Sequence, residues 1–300
     1  MRTTEPARGT LRIGTCSWKY PSWSGLVYSQ PAGIDYLAEY ARRYGTVEVD
    51  QWFWSLFPGG KVRLPDAADV EAYRASVDGA FRFTVKAPNS LTLTHAYSRG
   101  KGQLGDANPR FLSAELAGEF MASLSPLHDV LGPVIFQFEY LNRQKMPSAR
   151  TLEKHLADFR DGLPPPFEYA VEVRNPNYLT GAFLDFLASR GLCPVLLQGY
   201  WMPPVAALIE RERERLARFP TVVLRLHGPD REDIEAETGK RWDRIVRPRD
   251  EELGDIARGA AALVDAGVSV YVNVNNHYEG SAPLTIGRFM EHYGAGDRRP

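Results

Sequence analysis

Glu48, Glu172 and His227 are side chains able to move protons, and Lys86, Arg174 and Arg225 are cations able to hold an anion. A carboxylate beside a cation stays ionised, as a general base must, and a histidine titrates near neutral pH. Arginine grips phosphate or carboxylate through a planar fork, lysine as a point charge. Together they fit acid/base chemistry on a small anionic or phosphorylated substrate, by hydrolysis, elimination or isomerisation, with Glu48, Glu172 and His227 as the catalytic groups. Gln137 and Asn275 add neutral polar contacts to the substrate-binding set. Trp18, Trp52 and Trp54 could form an aromatic rim against which a ligand packs.

Other chemistries compete. Glu48, Asp50, Glu172 and His227 could serve as oxygen and nitrogen ligands of a metal-dependent phosphodiesterase or nuclease. With six histidines in the chain and several arginines near these positions, a multinuclear zinc site is disfavoured; no cofactor is expected, and a single Mg2+ or Mn2+ is the metal for which room remains. A third reading is a non-catalytic barrel that holds a nucleotide or single-stranded nucleic acid by stacking and phosphate contact. The 36 basic and 37 acidic residues weaken it, because the net charge of −1 provides no attracting field. A glycosidase pair of Glu48 and Glu172 fits poorly with so many neighbouring cations. There is no P-loop, no GxGxxG after a strand and no GxSxG elbow. Cys16 and Cys193 lie far apart without metal spacing and read as small buried residues.

The elements that must carry these residues are repeated βα units. Eight apolar, β-branched runs are expected as strands: Leu11 to Thr15, Thr46 to Asp50, Phe81 to Lys86, Val134 to Phe138, Tyr169 to Arg174, Pro194 to Gln198, Val222 to His227 and Val268 to Asn275. Helical spacing follows each, beginning near Ile34, Val70, Phe111, Thr151, Gly181, Val205, Asp250 and Pro283. Eight such units predict an α/β fold, a single (β/α)8 TIM barrel over residues 11–293, with flexible ends at 1–10 and 294–300. Alternate strand residues face the barrel axis, which turns Glu48, Lys86, Gln137, Glu172, Arg174, Arg225, His227, Asn273 and Asn275 inward. Buried charges must pair or bind something. One alternative is therefore an internal ion-pair network; the other is a ligand site, in which case Glu172→Gln or Arg225→Ala should spare the fold. Three long strand-to-helix loops, Gln51 to Asp69, Ala87 to Arg110 and Gly228 to Pro248, fall on the face where barrels build sites, and all six tryptophans fall in strand-to-helix loops of one length or another. No apolar run reaches the roughly 20 residues of a membrane span and no signal segment opens the chain, so a cytoplasmic protein without a membrane partner is expected, its oligomeric state open.

Gly14-Thr15-Cys16-Ser17-Trp18-Lys19-Tyr20 with Trp23, Gly25 and Tyr28 resembles the opening signature of the domain-of-unknown-function 72 (YecE-like) family. Thr46-Val47-Glu48-Val49, Phe83 to Pro88 with Thr94-His95, Leu131 to Gln137, Val171 to Pro176, Arg225 to Gly228 and Asn275-Asn276 resemble its later motifs in order. The resemblance implies a TIM barrel and assigns no single reaction; its architecture is similar to that of metal-dependent barrel nucleases and sugar isomerases at the level of fold. The sequence departs where Ser17 replaces a usual Gly, where Trp52, Phe53 and Trp54 replace a small polar and aromatic pair, and where Gln198 replaces a usual Asp.

Overall fold

The computed structural model describes residues 9–57, 60–97 and 104–296. Its strands are β1 (Leu11–Cys16), β2 (Thr46–Val49), β3 (Arg82–Lys86), β4 (Leu131–Gln137), β5 (Tyr169–Glu172), β6 (Cys193–Gly199), β7 (Thr221–Gly228) and β8 (Ser269–Val274). They form a closed barrel in sequential order, each expected strand being present with its ends moved by a few residues. The accompanying helices are α1 (Tyr36–Ala41), α2 (Ala67–Ala75), α3 (Ala114–Ser123), α4 (Ala149–Asp161), α5 (Gly181–Ser189), α6 (Val205–Arg211), α7 (Asp250–Asp265) and α8 (Ala282–Gly296). Parallel neighbours require such crossovers. Several helices start at a side-chain cap: Asp35, Asp66, Ser113, Ser148 and Thr180 each accept a first-turn backbone N–H. Ser113 therefore moves the start of α3 from the expected Phe111 to Ala114.

The chain divides into two compact units, residues 1–48 with 193–300 and residues 49–192. In the first, the register aligns Cys16 with Glu48, and Gly14, Asn273, Arg225 and Leu197 across β1, β8, β7 and β6. Residues in register on parallel strands share a face, so these side chains point together. Thr15, on the opposite face, meets Tyr40 of α1, whose hydroxyl lies 2.9 Å from the Thr15 Oγ1. In the second unit Lys86 aligns with Ile135 and Gln137 with Glu172, while Val85, Val134, Phe136 and Val171 occupy the other face. Phe136 there packs edge-on against Phe159 of α4, ring centroids 5.0 Å apart.

All three long loops contain structure that periodicity did not announce. Leu56–Phe57 pairs antiparallel with Lys61–Val62. Arg231–Thr238 is a helix in the loop after β7, stopped by Gly239 in the left-handed region at φ 59°. In the loop after β3, Asn89–Thr92 is one helical turn, and His95 bridges to Ala107. Most of Gly100 to Gly105 and most of both chain ends, each expected to be flexible, lie outside the described residues. Among the described residues no helix is long and apolar enough to cross a membrane.

Candidate functional site

In the unit of residues 1–48 and 193–300, the inward charges close on each other. Arg225 donates from Nε to Glu48 Oε2 at 2.7 Å and from Nη2 to Oε1 at 2.6 Å, and Asn273 Nδ2 donates to Oε2 at 3.0 Å. Glu48 is 0% and Arg225 1% exposed. Three donors thus meet the two carboxylate oxygens in a dry environment, the condition under which a buried pair offsets its desolvation. Of the two alternatives open for Glu48 and Arg225, internal ion pair or ligand contact, this geometry favours the pair.

His227, two residues beyond Arg225, is half-buried, with Nε2 3.8 Å from Cys16 Sγ and its ring 6.2 Å from that of Tyr200. Cys16 was expected only as a small buried residue; it is buried, and its register with Glu48 puts it on the inward face. The alternation of β1 carried that signal. Asn275 accepts the backbone N–H of His277 at 3.0 Å, so it caps the turn after β8. His277 Nε2 lies 3.0 Å from Glu235 Oε1; burial lowers the pKa of this imidazole and Glu235 opposes the shift. Gln198, where the resemblance implies Asp, points away from Arg225's partner Leu197 and is engaged elsewhere: Nε2 donates to Glu252 at 2.9 Å, and Oε1 accepts the Val205 N–H at 2.8 Å. Ser17 has φ 74°, which explains a usual Gly at that position. At the ends of β6 and β7, a Cβ on Gly199 would come within 2.5 Å of the Gly228 carbonyl oxygen, so this close approach requires glycine.

In the unit of residues 49–192 the Glu–Arg pair is open on its arginine side. Arg174 Nε donates to Glu172 Oε1 at 3.0 Å; Glu172 is fully buried, yet the Arg174 side chain is 26% exposed. Lys86 Nζ sits 3.9 Å from the centroid of the Phe53 ring, a cation–π contact. Lys86 and Gln137 are mostly buried on the inward face. Asn89, three residues beyond Lys86, organises the loop after β2: its Oδ1 accepts the N–H groups of Ser55 (2.9 Å) and Leu56 (3.0 Å), and its own N–H donates to the Phe53 carbonyl at 2.7 Å. Asn175 clamps the loop after β4 in the same way through both backbone groups of Leu141. Sequence alone did not mark these asparagines as clamps, since their partners lie 33 or more residues away.

The expected aromatic rim is divided. Trp18 and Trp52 are buried, and Trp52 stacks on Tyr73 at 5.5 Å, packing its loop onto α2. Trp54 is 65% exposed and stands 5.9 Å from the exposed ring of Tyr97. Desolvation, then the charge of Glu139, raise the Tyr97 phenol above its ordinary pKa, while Arg174 and a hydrogen bond with Asn89 lower it. His95 Nδ1 lies 3.0 Å from Thr94 Oγ1 within its own loop. A cavity of about 660 Å3 beside Tyr97 is lined by residues such as Leu56, Phe57, Leu104 and Asn108 and by neither Lys86 nor Arg174. Among the described residues no three His, Cys, Asp or Glu side chains are grouped to hold a metal ion.

Comparison with known proteins finds relatives of the chain. A DUF72 family protein from Thermotoga maritima superposes with a TM-score of 0.64 at 21% identity, covering 94% of this chain and 98% of the other. One from Enterococcus faecalis gives 0.64 at 19% identity, covering 95% and 96%. These likenesses show the barrel fold. The UPF0759 protein YecE of Escherichia coli is 29% identical over 183 residues, which is 61% of this chain and 55% of YecE, so the match spans about half the length of that relative. Residues 12–300 match the family described as protein of unknown function DUF72, and the chain belongs to that family.

Proposed function

We propose that the chain is an acid/base enzyme whose small anionic, phosphorylated substrate is held by Lys86 and Arg174. The observation that carries this reading is the half-open ion pair: Glu172 is completely buried and fixes Arg174 at Nε, while the arginine remains partly exposed to solvent. A guanidinium oriented by one carboxylate is pre-organised for a second anion. Lys86, held over Phe53, supplies a point charge on the inward face of β3. Glu172 orients Arg174 and, in this reading, exchanges a proton with the substrate bound beside it. Hydrolysis, elimination and isomerisation all use such an exchange.

The test is a thermal-shift screen of phosphomonoesters and inorganic phosphate against the wild type, Lys86→Met and Arg174→Lys. A ligand at 100 times its Kd adds about 2.7 kcal/mol of stability, which is readily measured. Arg174→Lys keeps a charge beside Glu172 but loses the planar fork, so binding should weaken without an uncompensated buried carboxylate. A shift lost in both variants supports the reading, and exchange of substrate hydrogens with deuterated solvent, abolished by Glu172→Gln, would establish the acid/base step. No shift from any phosphorylated compound, or an equal shift in all three proteins, would sink it.

A further inference from the structure

We infer that the anionic ligand carries a flat aromatic ring, as a nucleoside monophosphate does, and that this ring lies on Trp54 and Tyr97. The inference rests on the anion-binding reading of Lys86 and Arg174. Within one tripeptide the two tryptophans are used oppositely: Trp52 is 9% exposed and stacks on Tyr73, whereas Trp54 turns its indole to solvent. Packing the loop is thus accomplished by Trp52 and does not account for Trp54. Nor is Trp54 on a loose segment, because the residues on either side of it, Phe53 and Ser55, are both tied to Asn89.

The two rings are 5.9 Å apart at 45°, a tilted pair both of whose members are largely exposed. A base or other aromatic ring stacks on such a ring with little demand on its substituents. Lys86 adjoins this platform: it lies over Phe53, whose ring meets Trp54 edge-on at 5.1 Å. Phosphoryl oxygens on Lys86 and Arg174 with a ring on Trp54 describe one ligand whose charged and flat parts are joined by a short linker, such as a ribose.

The experiment is calorimetric titration of wild type, Trp54→Ala and Lys86→Met with AMP and phenyl phosphate, which carry a ring, and with ribose 5-phosphate and inorganic phosphate, which do not. Circular dichroism of Trp54→Ala checks that loss of an exposed side chain leaves the fold unchanged. The wild type should bind AMP at least tenfold more tightly than ribose 5-phosphate. Trp54→Ala should erase that difference while leaving ribose 5-phosphate affinity as it was, and Lys86→Met should weaken both. Equal affinity for AMP and ribose 5-phosphate, or a preference untouched by Trp54→Ala, overturns the ring site and leaves anion binding standing. If none of the four compounds binds, the anion reading fails and the ring site fails with it.

Discussion

Replacing Arg225 by Met would leave the Glu48 carboxylate fully buried with Asn273 Nδ2 but without the two guanidinium donors at 2.6 and 2.7 Å. Removing one partner of a buried pair costs about 3–5 kcal/mol, because the remaining charge is neither paired nor hydrated. For a chain of this size, with roughly 2 °C lost per kcal/mol, the melting temperature should fall by on the order of 6–10 °C. Glu48→Gln/Arg225→Met removes both charges and keeps an acceptor for Asn273, so it should be more stable than Arg225→Met alone. Urea unfolding of wild type, both single variants and the double variant completes the cycle, with a coupling of roughly 2–4 kcal/mol expected if the pair is closed. The expectation that Arg225→Ala spares the fold is revised for the same reason. An Arg225→Met protein within about 1 kcal/mol of wild type, a loss no larger than that of an ordinary substitution, would refute the argument and return Arg225 to the ligand-contacting residues.

Four other outcomes follow from particular contacts. Ser17→Gly should stabilise by about 1 kcal/mol, since glycine adopts the φ of 74° without strain; calorimetry showing a lower melting temperature would contradict this. Trp52→Ala should cost about 3–5 kcal/mol and Trp54→Ala far less, which denaturation midpoints would separate. Gln198→Glu should destabilise by setting a second carboxylate against Glu252, and a melting temperature no lower than that of the wild type at pH 7 would contradict this. The Arg231 hydrogen bond, with Lys240 and His277, lowers the Glu235 carboxyl to about 2. Its contribution to stability is therefore complete above its ordinary value and lost as pH falls through about 2, so Glu235→Gln should flatten the stability profile over that range in urea titrations.

The barrel was legible because its signal is local: β-branched runs and helical spacing repeat eight times, and strand alternation selects the inward residues. Alternation also placed Cys16 beside the inward set, but its chemistry as a small thiol suggested nothing beyond packing, so its contact with His227 was missed. The Arg231–Thr238 helix escaped notice because Ile234 is its sole buried apolar side chain, which leaves no stripe to read. The Leu56–Phe57 and Lys61–Val62 strands are two residues each, too short to alternate. Which tryptophans are buried depends on partners such as Tyr73, 21 positions from Trp52, and spacing does not encode that distance.

The two Glu–Arg pairs have identical chemistry and different exposure, and exposure decides what each can do. Glu48 and Arg225 are both sealed, with carboxylate oxygens filled by three donors, so a ligand reaching them would have to break contacts costly to lose. Glu172 is equally sealed, but its partner Arg174 reaches water. An anion approaching Arg174 displaces solvent and adds to an existing bond, gaining a charge-assisted contact at the guanidinium. Sequence position ranks the two pairs equally, since both arise from inward residues of a barrel strand and its extension. The difference lies in Arg174 falling two residues beyond the end of β5, while Arg225 lies three residues before the end of β7.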